Sequence, residues 1–348
     1  MKRTLAADAA LIVAAWAVAV VPLAPRFVEA IYANGIYARL NVALVPLANA
    51  VPFALGDVEA ALAAALVTWG VATAVRRRSV LAGLAHGAGF AATIVIAFNL
   101  LWGWNYRRAP VAARVDFAAA RVTAPAVAAF GRRIANILNG DVGAAHERAR
   151  TESGAALRAE LARDFLPVVA RLGDAWPVAV TVPKTTLANR LYEAAGVGGQ
   201  YDPFAFETLL DAALLPFEVP RALAHEWSHA AGFGDEGDAN VIGTIACLRS
   251  ADPLIRYSAA YWTYGELPDA VRARLRLAPA VRADFAAGRE RFLRTYDPNL
   301  FRLSWGVYDR YLRANGVAGG VASYSRDLQL LVGTAFDAAG LPLPARTR

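Results

Sequence analysis

The sequence predicts a mostly helical α+β chain, with three N-terminal transmembrane helices followed by a helical domain that carries a small sheet. Three observations lead there. Apolar runs long enough to cross a bilayer stand only before residue 110. Downstream, apolar residues recur at three- and four-residue steps, as one face of a helix requires. Strand-like stretches are short, and no alternating βα pattern suggests a doubly wound sheet.

Composition agrees. The chain of 348 residues is 57% hydrophobic, with a mean hydropathy of +0.35, too apolar for an ordinary soluble enzyme. Its net charge of +7 is almost wholly arginine, lysine occurring only at Lys2 and Lys184. The arginines scatter among alanines and form no stripe, so no nucleic-acid partner is expected. A single cysteine, Cys247, excludes an intrachain disulfide and leaves a zinc ribbon or a thiol nucleophile poorly supported.

The first apolar run, Leu5 to Ala24, follows the basic start Met1-Lys2-Arg3 and reads as a signal peptide or an anchor. Its length and the lack of a clear cleavage site favour an uncleaved span. The second, Phe53 to Val75, stops at Arg76-Arg77-Arg78. The third, Val80 to Tyr106, ends in Trp102, Trp104 and Tyr106, placed like an interfacial belt. Residues 26–52 are expected to form an amphipathic or re-entrant segment on the membrane surface or against the following domain. The membrane region is thus 1–106, with spans at about 5–24, 53–75 and 80–106, and the remaining domain is 107–348. Lys2, Arg3 and the arginine triplet fall on one side of three crossings, which makes that side cytoplasmic and the large domain extracytoplasmic. Arg107 and Arg108 pull mildly the other way. Asp8 and His86 lie near span ends, within reach of the interface.

In the large domain, Ala112 to Leu172 has helical periodicity, broken at Pro125 and at Asn139-Gly140-Asp141. Val178 to Val182 is β-like and closed by Pro183. A helix ends at Gly196, Phe204 to Leu215 is expected as an edge strand, and from Glu218 nearly everything reads as helix.

The chemistry concentrates in HEWSHAAGFGDEGDAN, His225 to Asn240, which holds two of the four histidines. On a helix, His225 and His229 share a face and present two imidazoles to one point, while Glu226 reaches a water bound there. Neutral imidazoles bind zinc, and a glutamate beside an open coordination position can take a proton from water attacking a carbonyl. Four histidines and twelve glutamates placed at random would make this pattern roughly twice in a thousand such chains. Pro220 and Gly232 delimit the helix around it.

Two residues compete as third ligand. Asp235 fits a spacing in which an acid replaces the last histidine of HExxHxxGxxH, but that pattern goes with a methionine turn, and the only methionine is Met1. Glu236 opens a second helix in which Asn240 shares its face, so that Asn240 can bond a ligand from behind; this geometry favours Glu236. Asp238 points elsewhere and reads as a helix-start charge. The implied fold is a zincin-like, gluzincin-like metallopeptidase domain with Zn2+ held by His225, His229 and Glu236, and Glu226 as general base. Tyr201, Tyr257 and Tyr261 are candidates for the group that stabilises the oxyanion. His146 is remote and reads as solvated, and Cys247 as a core residue.

The chain resembles an uncharacterised bacterial membrane family, domain of unknown function 3810, over most of its length. The resemblance is carried by IYANGIYARL, PFALGD, LLWGWNYRR, PFEVPRALAHEWSHAAGFGDEGDAN, RYSAAYW and YDRYLRANGVAGGVASYSRDLQLL. The pattern matches at His225, Glu226, His229, Gly232, Phe233, Glu236, Asp238, Ala239 and Asn240. It implies a membrane-anchored zinc metalloprotease of the cytoplasmic membrane with a peptide or protein substrate. In that family the position of Asp235 is often basic, which again points to Glu236, and this chain departs from it at Asp238, where glutamate is commoner. The competing class is a catalytically idle metal-binding scaffold or sensor acting through partners, which would have no need of Glu226. An intramembrane protease is excluded by the charges at Glu218, Arg221 and Glu226.

Overall fold

The computed structural model describes residues 2–76, 78–152, 154–173, 177–315 and 326–345. Arg77 of the basic triplet, and residues 316–325 within the C-terminal family segment, lie outside the described residues.

Five helices form the N-terminal layer: α1 Lys2–Val20, α2 Pro25–Phe27, α3 Ala38–Ala50, α4 Leu55–Arg76 and α5 Val80–Leu101. Proline at residues 22 and 25 ends α1 and starts α2, as a residue that lacks an N–H must. From α2 the chain runs through a π-helical segment, Val28–Tyr37, directly into α3. Val28, Tyr32, Tyr37, Asn41, Val45 and Ala48 form its buried stripe. Of the two placements expected for residues 26–52, the structure has the one against the large domain, where Tyr32, Tyr37 and Val45 share a core with Trp102, Tyr201 and Phe206.

Two helices, Leu55–Arg76 and Gly83–Leu101, are long and apolar enough to cross a membrane. Ala6–Val20 and Pro25–Ala50 pass the same test only as a pair, bent by 103°. Against the three spans expected, two helices among the described residues meet the length and apolarity a span needs, or three if the bent pair is one. Asp8 and His86 do not reach out to the interface separately; the His86 Nδ1 lies 2.7 Å from Asp8 Oδ2, joining α1 to α5. The aromatic belt is also revised. After α5 a 3₁₀ segment, Gly103–Arg107, turns the chain back inward. Trp102 is buried, Tyr106 packs edge-on against it at 5.1 Å, and Trp104 donates to the Val18 carbonyl at 3.2 Å.

The large domain contains α6 Ala124–Thr151, α7 Gly154–Arg171, α8 Asn189–Ala195, α9 Val219–Ala230, α10 Glu236–Leu248, α11 Pro253–Glu266, α12 Asp269–Arg272, α13 Pro279–Thr295, α14 Pro298–Ala314 and α15 Asp327–Gly333. Pro125 lies in the first turn of α6, behind a Thr123 N-cap. The break expected at Asn139-Gly140-Asp141 does not occur. Asn139 instead bonds the Arg276 carbonyl and the Ala278 N–H, and Asp141 pairs with Arg256, so these polar side chains dock neighbouring segments and leave the helix intact.

Three strands, β1 Pro183–Lys184, β2 Gly199–Asp202 and β3 Glu207–Leu210, form a sheet of order β1-β3-β2, parallel between β1 and β3 and antiparallel between β2 and β3. Two expectations change here. Val178 to Val182 makes no strand, because side chains take its backbone groups: Asn41 accepts from Ala179, Asn49 bonds both Val180 and Val182, and Trp227 donates to Thr181. The segment from Phe204 contributes the middle strand, so the edge nearer the site is β2. Beyond α15 the chain forms isolated bridges, Phe336 with Pro342 and Val115 with Pro344, where helix was expected.

Helices α9 and α10 are the centre of the domain. Trp227, Ile242, Ile245 and Cys247 are buried in one core with Phe165 and Val168 of α7, each large side chain contributing on the order of 2 kcal/mol of transfer free energy. Gly243 permits the close crossing of the two helices: a Cβ there would lie 2.9 Å from the His225 nitrogen.

Candidate metal centre

Helix α9 ends at Gly232, whose φ of +85° suits a residue without Cβ. The Phe233 N–H returns to the Ser228 carbonyl at 3.0 Å and completes the cap. Three residues later α10 begins. Asp235 is its N-cap and accepts from the Asp238 N–H at 3.1 Å. That role holds Asp235 at the helix start and directs the next side chain, Glu236, at the imidazoles.

His225 Nε2 lies 3.2 Å from Glu236 Oε2 and His229 Nε2 lies 3.4 Å from Glu236 Oε1. The two Nε2 atoms are 3.2 Å apart. A tetrahedral site with bonds of about 2.0–2.2 Å places its donors roughly 3.3–3.6 Å from one another, so these three residues fit a divalent ion with only small adjustment. They form the one such donor group among the described residues. The donor set, two imidazoles and a carboxylate, suits zinc and other borderline divalent metals.

Surrounding bonds orient the ligands. His229 Nδ1 donates to the Phe233 carbonyl at 2.8 Å, which leaves Nε2 as the metal-facing lone pair. His225 Nδ1 has no partner among the described residues. Burial pushes the His225 imidazole down, to about 4. At His229 burial also pushes down, but the Glu236 carboxylate outweighs it and raises the group. Burial would raise Glu236; the two imidazoles overcome this and hold it well below the usual carboxylate range.

Glu226 is buried, and burial pushes its carboxyl up to about 8, with Glu236 adding to the effect. The nearby His229 and the Tyr201 backbone on β2 oppose that rise. Beside Glu226 and His225 opens a cavity of about 270 Å³ lined also by Gly199, Arg221, Trp262 and Asp327.

The other expected residues lie elsewhere. Asn240 does not touch a ligand; its Oδ1 accepts from Arg221 at 2.6 Å, and it also bonds Asp327. Tyr257 donates to Asp284, which in turn bonds His146 at 3.0 Å, so that His146 is a docked residue and not a solvated one. Tyr261 stacks on Phe285 at 4.5 Å. The Tyr201 ring points to Tyr37, oxygen to oxygen at 3.3 Å. Asp238 accepts from the Val111 N–H at 2.9 Å. In place of these tyrosines the structure brings Tyr308 of α14, whose hydroxyl donates to Glu236 Oε1. Tyr308 opens the segment YDRYLRANG quoted for the family resemblance, but spacing does not link it to a partner 72 residues away.

Carbonyls at the end of α9 are capped from the N-terminal layer. Trp102 donates to the His229 carbonyl at 2.9 Å, Tyr37 and Asn41 to that of Ala230 at 2.6 and 3.0 Å, and Arg108 to those of Ala231 and Gly232 at 3.0 and 3.2 Å. Arg108 also pairs with Glu29 at 3.1 Å.

No curated protein and no solved structure matches the chain. The model of a protein family of unknown function, DUF3810, matches residues 32–332, a span that holds the donor cluster, its α9–α10 scaffold and most of the layer that caps it, and the chain belongs to that family.

Proposed function

We propose that the protein is a membrane-anchored, zinc-dependent peptidase whose large domain works on the extracytoplasmic face of the cytoplasmic membrane. The observation that carries this reading is a buried carboxylate, Glu226, adjoining a convergent His225, His229 and Glu236 donor set at the mouth of a cavity. A metal site without turnover has no need of that carboxylate. A zinc ion held by the three donors would supply Lewis-acid polarisation of a carbonyl and a water of lowered pKa. Glu226, buried beside the donor set, takes as its carboxylate the proton of the attacking water and returns it to the leaving amine. Tyr308 supplies a phenol donor next to the reacting centre, suited to the developing oxyanion. The outer edge of β2 offers a track for an extended peptide.

The test is metal analysis of the purified protein with Glu226→Gln and Glu236→Ala. Glu226→Gln is expected to keep the metal and to lose peptide hydrolysis by at least about a hundredfold, while Glu236→Ala loses the metal. Metal retained in Glu236→Ala but lost in Asp235→Ala would overturn the ligand assignment. A metal-loaded protein whose peptide turnover is unchanged by Glu226→Gln would overturn the mechanism.

A further inference from the structure

The cavity beside Glu226 has a chemistry of its own, separate from the donor cluster. Its floor is Asp327, the first residue of α15, only 6% exposed. Asn240 lies close enough to favour the ionised form of that carboxylate, and the Asp327 Oδ1 has no hydrogen-bond partner among the described residues. The hydroxyl of Thr263, 3% exposed and also lining the cavity, lacks one too. Buried polar atoms in folded proteins are nearly always partnered, so these two atoms and His225 Nδ1, all on residues that line one cavity, mark where a ligand group bonds.

Charge decides which group. Among the described lining residues the cation is Arg221, which bonds Asn240 at 2.6 Å and lies over the Trp262 ring at 5.4 Å. Against it stand two carboxylates, Asp327 and Glu266, the second at the exposed rim. With Asp327 ionised, as pairing with a cation would make it, the balance is negative before Glu226 is counted. Trp262 and Trp305 give the walls aromatic faces, over which the methylene stem and cationic head of a long side chain pack favourably. At about 270 Å³ the space is slightly smaller than the roughly 300–1,000 Å³ of small-molecule sites, and it takes one side chain and not a folded segment. Because His225, Glu226 and Gly199 line it as well, the side chain it receives is one adjacent to the reacting bond.

We infer that this cavity is a specificity pocket for a positively charged substrate side chain, arginine or lysine, with Asp327 as the deep anion and Glu266 as the outer one. The inference rests on the peptidase reading for the word substrate, but not for the binding itself. Burial pushes the Asp327 carboxyl up to about 8, and an incoming cation offsets that burial by pairing with the ionised form.

The test uses the full chain in detergent, loaded with zinc and carrying Glu226→Gln so that peptides bind without turnover. Blocked hexapeptides with one arginine, one citrulline or one glutamate at the same position are titrated calorimetrically. Citrulline keeps the shape of arginine and removes the charge. The arginine peptide is expected to bind about tenfold or more tightly than the citrulline peptide, the effect of one charge-assisted hydrogen bond. Asp327→Asn should reduce that ratio to below about threefold, and Glu266→Gln, at an exposed position that does not risk the fold, should reduce it partly. Equal binding of arginine and citrulline peptides, tightest binding of the glutamate peptide, or no binding of any would overturn the pocket. Hydrolysis by the wild-type protein distinguishes the two claims. Turnover without arginine preference removes the pocket and leaves the peptidase; arginine preference without turnover does the reverse.

Discussion

The hairpin of α9 and α10 and the N-terminal layer packed against it, from Val28 to Arg108, contribute to the same site by opposite means. In the hairpin, every element is local: a proline in the first turn, imidazoles one turn apart, a left-handed glycine, an aspartate cap and a glutamate directly after it lie within eighteen residues. In the N-terminal layer nothing is local. Trp102, Tyr37, Asn41 and Arg108 reach across 123 to 193 positions to the carbonyls of residues 229–232. These are the groups that a helix end leaves unsatisfied. The hairpin thus holds the donor cluster, and the N-terminal layer holds the hairpin. A soluble fragment beginning after Arg108 would keep all three donors yet lose the caps beneath His229.

Breaking the cap at its charged, buried member gives the largest expected effect. Arg108→Met removes the donors to Ala231 and Gly232 and leaves Glu29 with Arg114 as partner. A destabilisation of about 3–5 kcal/mol is expected, read as a lowered melting temperature in detergent. A melt equal to wild type would mean that the layer does not support the hairpin.

The next prediction separates the two faces of the hairpin by pH. The capping side chains of the N-terminal layer are tryptophan, tyrosine, asparagine and arginine, whereas the cavity face carries Asp327, raised by burial to about 8. A carboxyl whose folded pKa lies above its unfolded value of about 4 keeps its proton in the folded state where the unfolded chain has lost it. Its stabilising contribution is therefore full below about pH 4 and is lost as pH rises toward 8, with a slope of at most ~1.4 kcal/mol per pH unit. Melting curves between pH 5 and 8 should fall more steeply for wild type than for Asp327→Asn. Parallel curves would place the titrating group elsewhere.

Trp102→Phe keeps the packing and deletes one donor to the His229 carbonyl; a loss of about 1–2 kcal/mol is expected, together with weaker metal retention against a chelator. Tyr37→Phe should cost least, below about 1 kcal/mol, since Asn41 still serves the Ala230 carbonyl. If Tyr37→Phe proved the more damaging of the two, the oxygen contact between Tyr37 and Tyr201 would be the more important link.

Several expectations from sequence meet the structure unevenly, and for identifiable reasons. The convergence of His225 and His229 is legible because four residues make about one helical turn. That Glu236 opens a second helix beside the imidazoles is legible from EGDANVIGTIACL, whereas the N-cap role of Asp235 is visible only in the structure. Asn240 shares the face of Glu236, as periodicity says, but Arg221 and Asp327 claim its side chain. Tyr257 and Tyr261 lie close in sequence, yet α11 turns them toward Asp284 and Phe285.

By itself the sequence determines the apolar helices, the α9–α10 turn and the donor spacing, since each depends on residues within a few turns of one another and on backbone periodicity. Only the tertiary structure decides that Tyr308 meets Glu236, that Trp102 faces inward, and that β3 is central instead of an edge. Those outcomes depend on which distant side chains satisfy buried polar groups, and local periodicity carries no information about partners a hundred residues away.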